Sequence, residues 1–463
     1  MTYTAISIGP IYKTLTMARK PLELWAASYL FSRLMDCIIQ SISANVTIIS
    51  PAKIKTKNYG LYPDRVYMSS EIDIDTETIF SAALSKLSTE TGLPKDYFNL
   101  MSVCVENITD NKMVIKMLNA KLDALELYSN PVDSEANKSV LKFLKDEGKI
   151  FNISHDNYCD LETIAKAGRE KDSPFSYNRY ICIVQADGDG VGQVVSNIST
   201  TDLSETVSPA LLKFGEDAVE VIKDFGGFPI YAGGDDLLFI APVVGKNGTN
   251  IFDLLKLIDK QFEPVKEVAN EFKYKTSMSY GVSITYNKFP LYEALKTADN
   301  LLFQTAKNID GKDAVAWKLQ KHSGLTHEGD FSKSDDKLYP LFEELIKKSR
   351  IEEGLLSAIA FKIRANTAVL DTFLSDKNLL SVRIDSFYKK FIDNTGNYAD
   401  CTKQILKNLL EKEMNKTEKN ATKTATPNDD LKDERVQKIV TELYGMMRTA
   451  KFINGEKIKE DEK

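Results

Sequence analysis

Three carboxylates carry the clearest chemistry in this chain. Asp187 ends the apolar run YICIVQA (180–186) and opens the acidic turn DGDG, while Asp235 and Asp236 follow Gly233 and Gly234 in YAGGDDLLFIAP. In a βαββαβ sheet the first strand pairs antiparallel with the third, so the end of YICIVQA lies beside the start of LLFIAP and Asp187 meets Asp235 and Asp236. Three clustered carboxylates repel one another, and without a cation at least one takes up a proton. Magnesium, or manganese, removes that conflict. Magnesium prefers hard oxygen ligands and often binds through one or two carboxylates together with substrate phosphates. Two such ions could align an attacking hydroxyl with a leaving pyrophosphate, which is nucleotidyl transfer.

The flanking residues fit the same chemistry. Gly233 and Gly234 permit positive φ and keep side chains away from a triphosphate, and Gly188, Gly190 and Gly192 are expected to do the same after the first strand. Lys307, on ADNLLFQTAK, is either a counter-charge for phosphates or a solvated lysine on a helix face. A GGDD tip alone is also a good hairpin turn, and DGDG alone is weaker still. The reading rests on their occurrence together at two places that a palm sheet makes adjacent.

The elements that must position these residues follow from apolar spacing. YICIVQA reads as a buried strand, a helix capped by Ser208-Pro209 runs to Phe225 and stops at Gly226-Gly227, and FPIYA and LLFIAP form a hairpin. A long helix over 251–271, the strand TSMSYGVSI, a helix over 290–307 and a last strand near AVAW complete the order. Upstream, a strand over Ala5–Ile8, a helix from Leu22 to Gln40 and the strand NVTIIS suggest a second ferredoxin-like unit. The expected division is a first unit over 1–110, a helical connecting domain over 111–176, the GGDD-bearing unit over 177–324, and a helical C-terminal domain over 325–463 with a mobile linker at 411–435.

Composition narrows the class. The 463 residues call for two to four domains, and 60 Lys and Arg against 66 Asp and Glu give a net charge of −6, so contact with RNA must use local patches. The opening MTYTAISIGPIYK has no signal-peptide pattern and no run reaches the length of a membrane span, so a soluble cytoplasmic protein without membrane contact is expected. Five cysteines without a CxxC pair argue against a disulfide framework or a zinc ribbon. His155-Asp156 lacks the further histidines of a phosphohydrolase centre, Trp25 reads as a core anchor, and the basic stretches 53–57 and 318–321 read as solvated unless RNA reaches them.

The ordered series resembles the large subunit of type III CRISPR effector complexes, type III-B in particular, a relative of the GGDEF nucleotide cyclases. The resemblance runs from residue 1 to about 324 through IGPIYKTLTMARKPLELWAASYLFSRL, LYPDR (61–65), DGDGVG, YAGGDDLLFIAP, SYGVSI and KFPLYEALKTADNLLFQTAK. It implies an α+β chain with two ferredoxin-like palm domains, the first degenerate, and helical connecting and C-terminal domains. It further implies that Asp187, Asp235 and Asp236 bind the catalytic metals and that Gly233 and Gly234 admit ATP. Part of a second nucleotide pocket would come from the first palm. The implied partners are other type III-B subunits, guide RNA and target RNA, and the implied product is a cyclic oligoadenylate. One branch of the family instead joins the adenylyl group to S-adenosylmethionine. The chain begins at the first palm and lacks the zinc-binding cysteines of many members, so the HD nuclease and single-stranded DNA cleavage are not expected. A silent scaffold is disfavoured by the intact carboxylates, and a free-standing GTP cyclase by the first palm and the helical tail.

Overall fold

Central strands buried on both faces build two sheets of one design. The first contains β1 (Thr2–Gly9), β2 (Thr47–Ser50), β3 (Arg65–Ser70) and β4 (Asn99–Glu106), in the order β2-β3-β1-β4 with every pairing antiparallel. The computed structural model describes residues 1–463 apart from 54–58, 128–133, 152, 154–159, 168–173, 335–336, 349–352, 393–396, 422–429 and 458–463. Because side chains alternate along β1, Ile6 and Ile8 join the core beneath the helices Pro21–Ser41 and Thr76–Thr91, while Tyr3 and Ala5 meet the helix Val114–Glu126 on the opposite face. Trp25 is 1% exposed and stacks on Tyr29, a core anchor as expected.

The second sheet contains β5 (Tyr180–Asp189), β6 (Phe228–Gly233), β7 (Asp236–Pro242), β8 (Ser277–Tyr286), β9 (Ala314–Gln320) and β10 (Thr326–Ser332), in the order β10-β9-β8-β5-β7-β6. Its inner order β6-β7-β5-β8 repeats that of the first sheet, so the two units are a repeat of fold. The sheets meet at a seam. Gly60 bridges to Tyr231 in parallel, and the Ala232 amide donates to the Gly60 carbonyl at 2.8 Å.

Several elements differ from the sequence reading. Residues 326–332 belong to a sixth strand, β10, rather than to the helical tail. The last helix, Asp430–Ile453, packs on that strand closely enough that a Cβ on Gly445 would lie 2.3 Å from the Glu328 carbonyl oxygen. The helix expected over 251–271 is two helices, Ile251–Gln261 and Glu263–Glu271, broken before Pro264, which has no amide to continue the ladder. Ser208 is not an N-cap: it has helical φ and ψ and follows a wide π turn, Leu203–Val207, and the cap upstream is Ser199, whose hydroxyl accepts the Asp202 amide. Gly226 does end the helix Ser208–Phe225, at φ 101°. Within the supposed linker, the helix Asn397–Ala421 continues through 411–421 and the last helix begins at Asp430, leaving 422–429 outside the described residues.

The region after β10 is otherwise helical, as expected. Cys37, Cys104, Cys182 and Cys401 take part in no disulfide among the described residues, and Cys159 lies outside them together with His155-Asp156 and most of 53–57. Lys318 and Lys321 pair with Glu328 and Glu456. No helix among the described residues is long and apolar enough to cross a membrane.

Candidate active site

Strand register delivers the carboxylates to one place. Ala186 pairs with Leu237 across β5 and β7, so one step further Asp187 stands beside Asp236, and Gly233 pairs with Asp236 across the two-residue hairpin Gly234-Asp235. Asp235 folds back over β5, where a Cβ on Gly188 would lie 2.6 Å from Asp235 Oδ2. Gly188 is therefore needed for the approach of Asp235 rather than for positive φ. Of the glycines considered in the two turns, Gly190 and Gly234 take positive φ, at 78° and 68°. Gly233 does not, and the space a Cβ would need there is filled by the Tyr231 phenol, not left open for a ligand. Around Gly234 the space is open.

Lys307 is not a solvated lysine on a helix face, for its side chain is 12% exposed and turned to the strand ends. Its ammonium contacts the Asp187 carboxylate, donates to Asp189 Oδ1 at 2.8 Å, and donates to the Asp187 and Gly188 carbonyls at 3.1 Å each. The helix Leu291–Asn300 passes into a wider turn, Leu301–Thr305, before Lys307 reaches the strand ends.

Asp189 was missed by the sequence reading although DGDG contains it. It is buried, and its Oδ2 accepts the Ser277 and Ser279 hydroxyls at 2.7 Å each and the Asp313 amide at 3.0 Å. A signal existed. Asp187 and Asp189 lie two apart on β5, as do Ser277 and Ser279 on β8, so each pair shares a sheet face. Although burial opposes its charge, the Lys307 ammonium and the two serine hydroxyls hold the Asp189 carboxyl below the usual range.

Charge is unbalanced at the other two carboxyls. Asp235 is half-buried and Asp236 exposed. Both are pushed above the ordinary carboxylate range, Asp235 to about 7, first by dense surrounding protein and then by repulsion, from Asp187 at Asp235 and from Asp235 and Asp187 at Asp236. Since Asp236 is open to water, repulsion among the three is the firmer cause there. Asp64, at the start of β3 across the seam, adds to the negative field at Asp236 and Tyr231.

Hard oxygens in repulsion are the donor set that a magnesium or manganese ion suits. Among the described residues, however, no three His, Cys, Asp or Glu side chains are gathered as a finished metal cage. Asp187, Asp235 and Asp236 are neighbours, and a lysine occupies one of them.

Comparison with known proteins identifies the family and the fold. The family profile described as Cas10/Cmr2, second palm domain, matches residues 180–316, and that of CRISPR-associated protein Cmr2, N-terminal, matches residues 3–122. The CRISPR system Cmr subunit Cmr2 of Pyrococcus furiosus is 33% identical over 177 residues, which is 32% of this chain and 19% of that protein. The chain thus spans about a fifth of that relative's length in the match. Among solved structures, a type III-B Cmr-beta complex bound to cognate target RNA matches with TM-score 0.53 at 12% identity over 86% of this chain and 80% of that one. A Csm1-Csm4 cassette in complex with cA4 matches with TM-score 0.52 at 12% identity over 96% of this chain and 70% of that one. At such identity these structures speak for the fold alone, two palms with helical additions. Together, the two profiles cover more than half of the sequence, and the chain belongs to the Cas10/Cmr2 family of type III CRISPR subunits.

Proposed function

We propose that this chain is the nucleotidyl-transferring subunit of a type III-B CRISPR effector complex, which converts ATP into a cyclic oligoadenylate when guide and target RNA are bound. The observation that carries this reading is the meeting of Asp187, Asp235 and Asp236 at adjoining strand ends, with charge repulsion that a divalent cation would relieve. The family membership supports it. So do two similarly folded cassettes, one complexed with cA4 and another with AMPPNP.

In this reading Asp187, Asp235 and Asp236 hold magnesium or manganese, and the bound metal supplies positive charge to the triphosphate and the leaving pyrophosphate. The open space around Gly234 lets the phosphates approach, and Gly188 lets Asp235 close over β5. Lys307 lies within reach of a phosphate bound at these carboxylates. The chain's part in catalysis is positioning and charge rather than a covalent intermediate. The expected division into a first palm, connecting domain, catalytic palm and helical tail belongs to the same proposal. Its partners are other type III-B subunits, guide RNA and target RNA. With a charge of −6, the isolated chain offers RNA only local basic patches, and firm binding is left to the assembled complex.

The test compares initial rates of ATP consumption for the chain alone, the complex with guide, and the complex with guide and target. Rates should rise sharply only in the last, and Asp235→Ala with Asp236→Ala should abolish them in a complex that still assembles. Equal rates in all three preparations would overturn the reading. Mass spectrometry of the products, with and without S-adenosylmethionine, separates cyclic oligoadenylate from an S-adenosylmethionine adduct.

A further inference from the structure

Asp189 has no place among the proposed metal ligands, yet its carboxylate is the most fully bonded in the site. Three protein donors fix Oδ2, from Ser277, Ser279 and the Asp313 amide, and Oδ1 takes the Lys307 ammonium. Oδ2 is fully taken up, and the one direction left at Oδ1 lies beside the Lys307 ammonium, so the carboxylate has little capacity left for a metal. Asp187 differs. Its side chain is 25% exposed against 7% for Asp189, and it shares the same ammonium. The lysine thus hangs from a rigid anchor on one side and touches a proposed metal ligand on the other. A divalent cation approaching Asp187 must share that carboxylate with a charge already in contact with it.

We propose that Asp189 is a positioning residue that holds the Lys307 ammonium against Asp187, so that metal entry at Asp187 and release of Lys307 towards the triphosphate are coupled. This rests on the functional reading above and deepens it. The Ser277 and Ser279 hydroxyls act one step further out, by fixing the Asp189 carboxylate. Binding of metal and nucleotide then reinforce each other: the cation frees the lysine, and a phosphate gives it a new partner.

The test is a double-mutant cycle on the full chain without catalysis, reading Mn²⁺ binding from its solution EPR signal in the absence and presence of AMPPNP. Lys307→Met should bind Mn²⁺ about tenfold more tightly than wild type without nucleotide, since a competing charge is gone, and should lose most of the enhancement given by AMPPNP. Asp189→Asn should shift Mn²⁺ affinity about threefold or more in the wild-type background and leave it unchanged in the Lys307→Met background. Ser277→Ala, a milder loosening of the same anchor, should act in the same direction as Asp189→Asn and keeps the test valid if that variant folds poorly. An equal effect of the Asp189 or Ser277 variants in both backgrounds, or unchanged affinity in Lys307→Met, overturns the proposal. If Asp235→Ala with Asp236→Ala binds Mn²⁺ as wild type does, the metal reading itself falls, and this inference with it.

Discussion

Register places the two palms side by side, position for position. Ser7 pairs with Arg65 across β1 and β3, as Asp187 stands beside Asp236 across β5 and β7, so Ser7 corresponds to Asp187, Arg65 to Asp236, and Asp64 to Asp235. In the second palm these positions carry three acids with excess negative charge. In the first, two of the three are tied into a network: Ser7 donates to Glu126 at 3.0 Å, and Arg65 reaches Asp123 at 2.7 Å, Glu126 at 3.0 Å and Asn119 at 3.0 Å, all on the helix Val114–Glu126, while Asp64 keeps an acid at the third. One topology thus offers the same strand ends twice. What separates a candidate active site from a structural joint is whether the charge there is answered from within the protein. Lys307 answers it only in part.

The largest effect expected from breaking this comparison comes from paired substitutions at corresponding positions. Asp187→Asn should lower the target-activated rate by about a hundredfold to a thousandfold, the scale of losing a preorganised electrostatic contact at a reacting phosphate. Ser7→Ala should change that rate by less than about threefold. Measured side by side in assembled complexes, near-normal turnover in Asp187→Asn would sink the three-carboxylate site. A large loss in Ser7→Ala would mean that the first palm takes part in the chemistry.

Next in size is a stability effect confined to the first palm. Arg65 is 20% exposed at its side chain while its partner Asp123 is 63% exposed, so solvent screens part of the network. Arg65→Ala should cost about 1–2 kcal/mol of unfolding free energy, and Arg65→Lys should recover less than half of it, because an ammonium cannot span Asn119, Asp123 and Glu126 as a guanidinium does. Urea denaturation of the three proteins measures this. No destabilisation in Arg65→Ala would show that the network is incidental. Mn²⁺ binding at the second palm should be untouched in both variants.

The sequence made the second palm more legible than the first for the same physical reason. Short apolar runs bounded by turn residues specify a buried strand whatever it does, so β1, β5, β6, β7 and β8 were readable, as was the meeting of Asp187 with Asp235 and Asp236. The answering groups come from far along the chain. Lys307 is 118 residues from Asp189 and Arg65 is 61 from Glu126, and no local pattern announces such contacts. Gly233 misled because a GGDD turn suggests two flexible glycines, whereas the neighbouring Tyr231 ring claims the space beside one of them. β10 escaped notice because THEGDFS carries few apolar residues. Its burial is supplied by the last helix, more than a hundred residues later.

That extra strand marks the remaining contrast between the palms, since among the described residues the first sheet has four strands while the second adds β9 and β10. His327 on β10 is 5% exposed, packs edge to face on Tyr444 of the last helix at 5.5 Å, and has no hydrogen-bond partner at Nε2. Burial, then the charges of Arg448 and Lys321, hold its pKa down to about 4, with Glu456 opposing. The unfolded chain takes up this proton below about 6.5 whereas the folded chain refuses it until about 4, so the joint loses stability as pH falls through that window and is unaffected above it. At pH 5.5 the loss attributable to His327 is about 1.4 kcal/mol. Asp235 and Asp236, with raised pKa values, pull the other way in the same range, so the wild-type curve alone cannot isolate the histidine. The difference between wild type and His327→Phe can, because the carboxyls are common to both. That difference should shift in favour of the variant by about 1.4 kcal/mol between pH 7.5 and pH 5.5. A difference that stays flat across this range would mean that the strand and helix open enough to hydrate the ring, and that β10 is a looser addition to the second palm than its burial indicates.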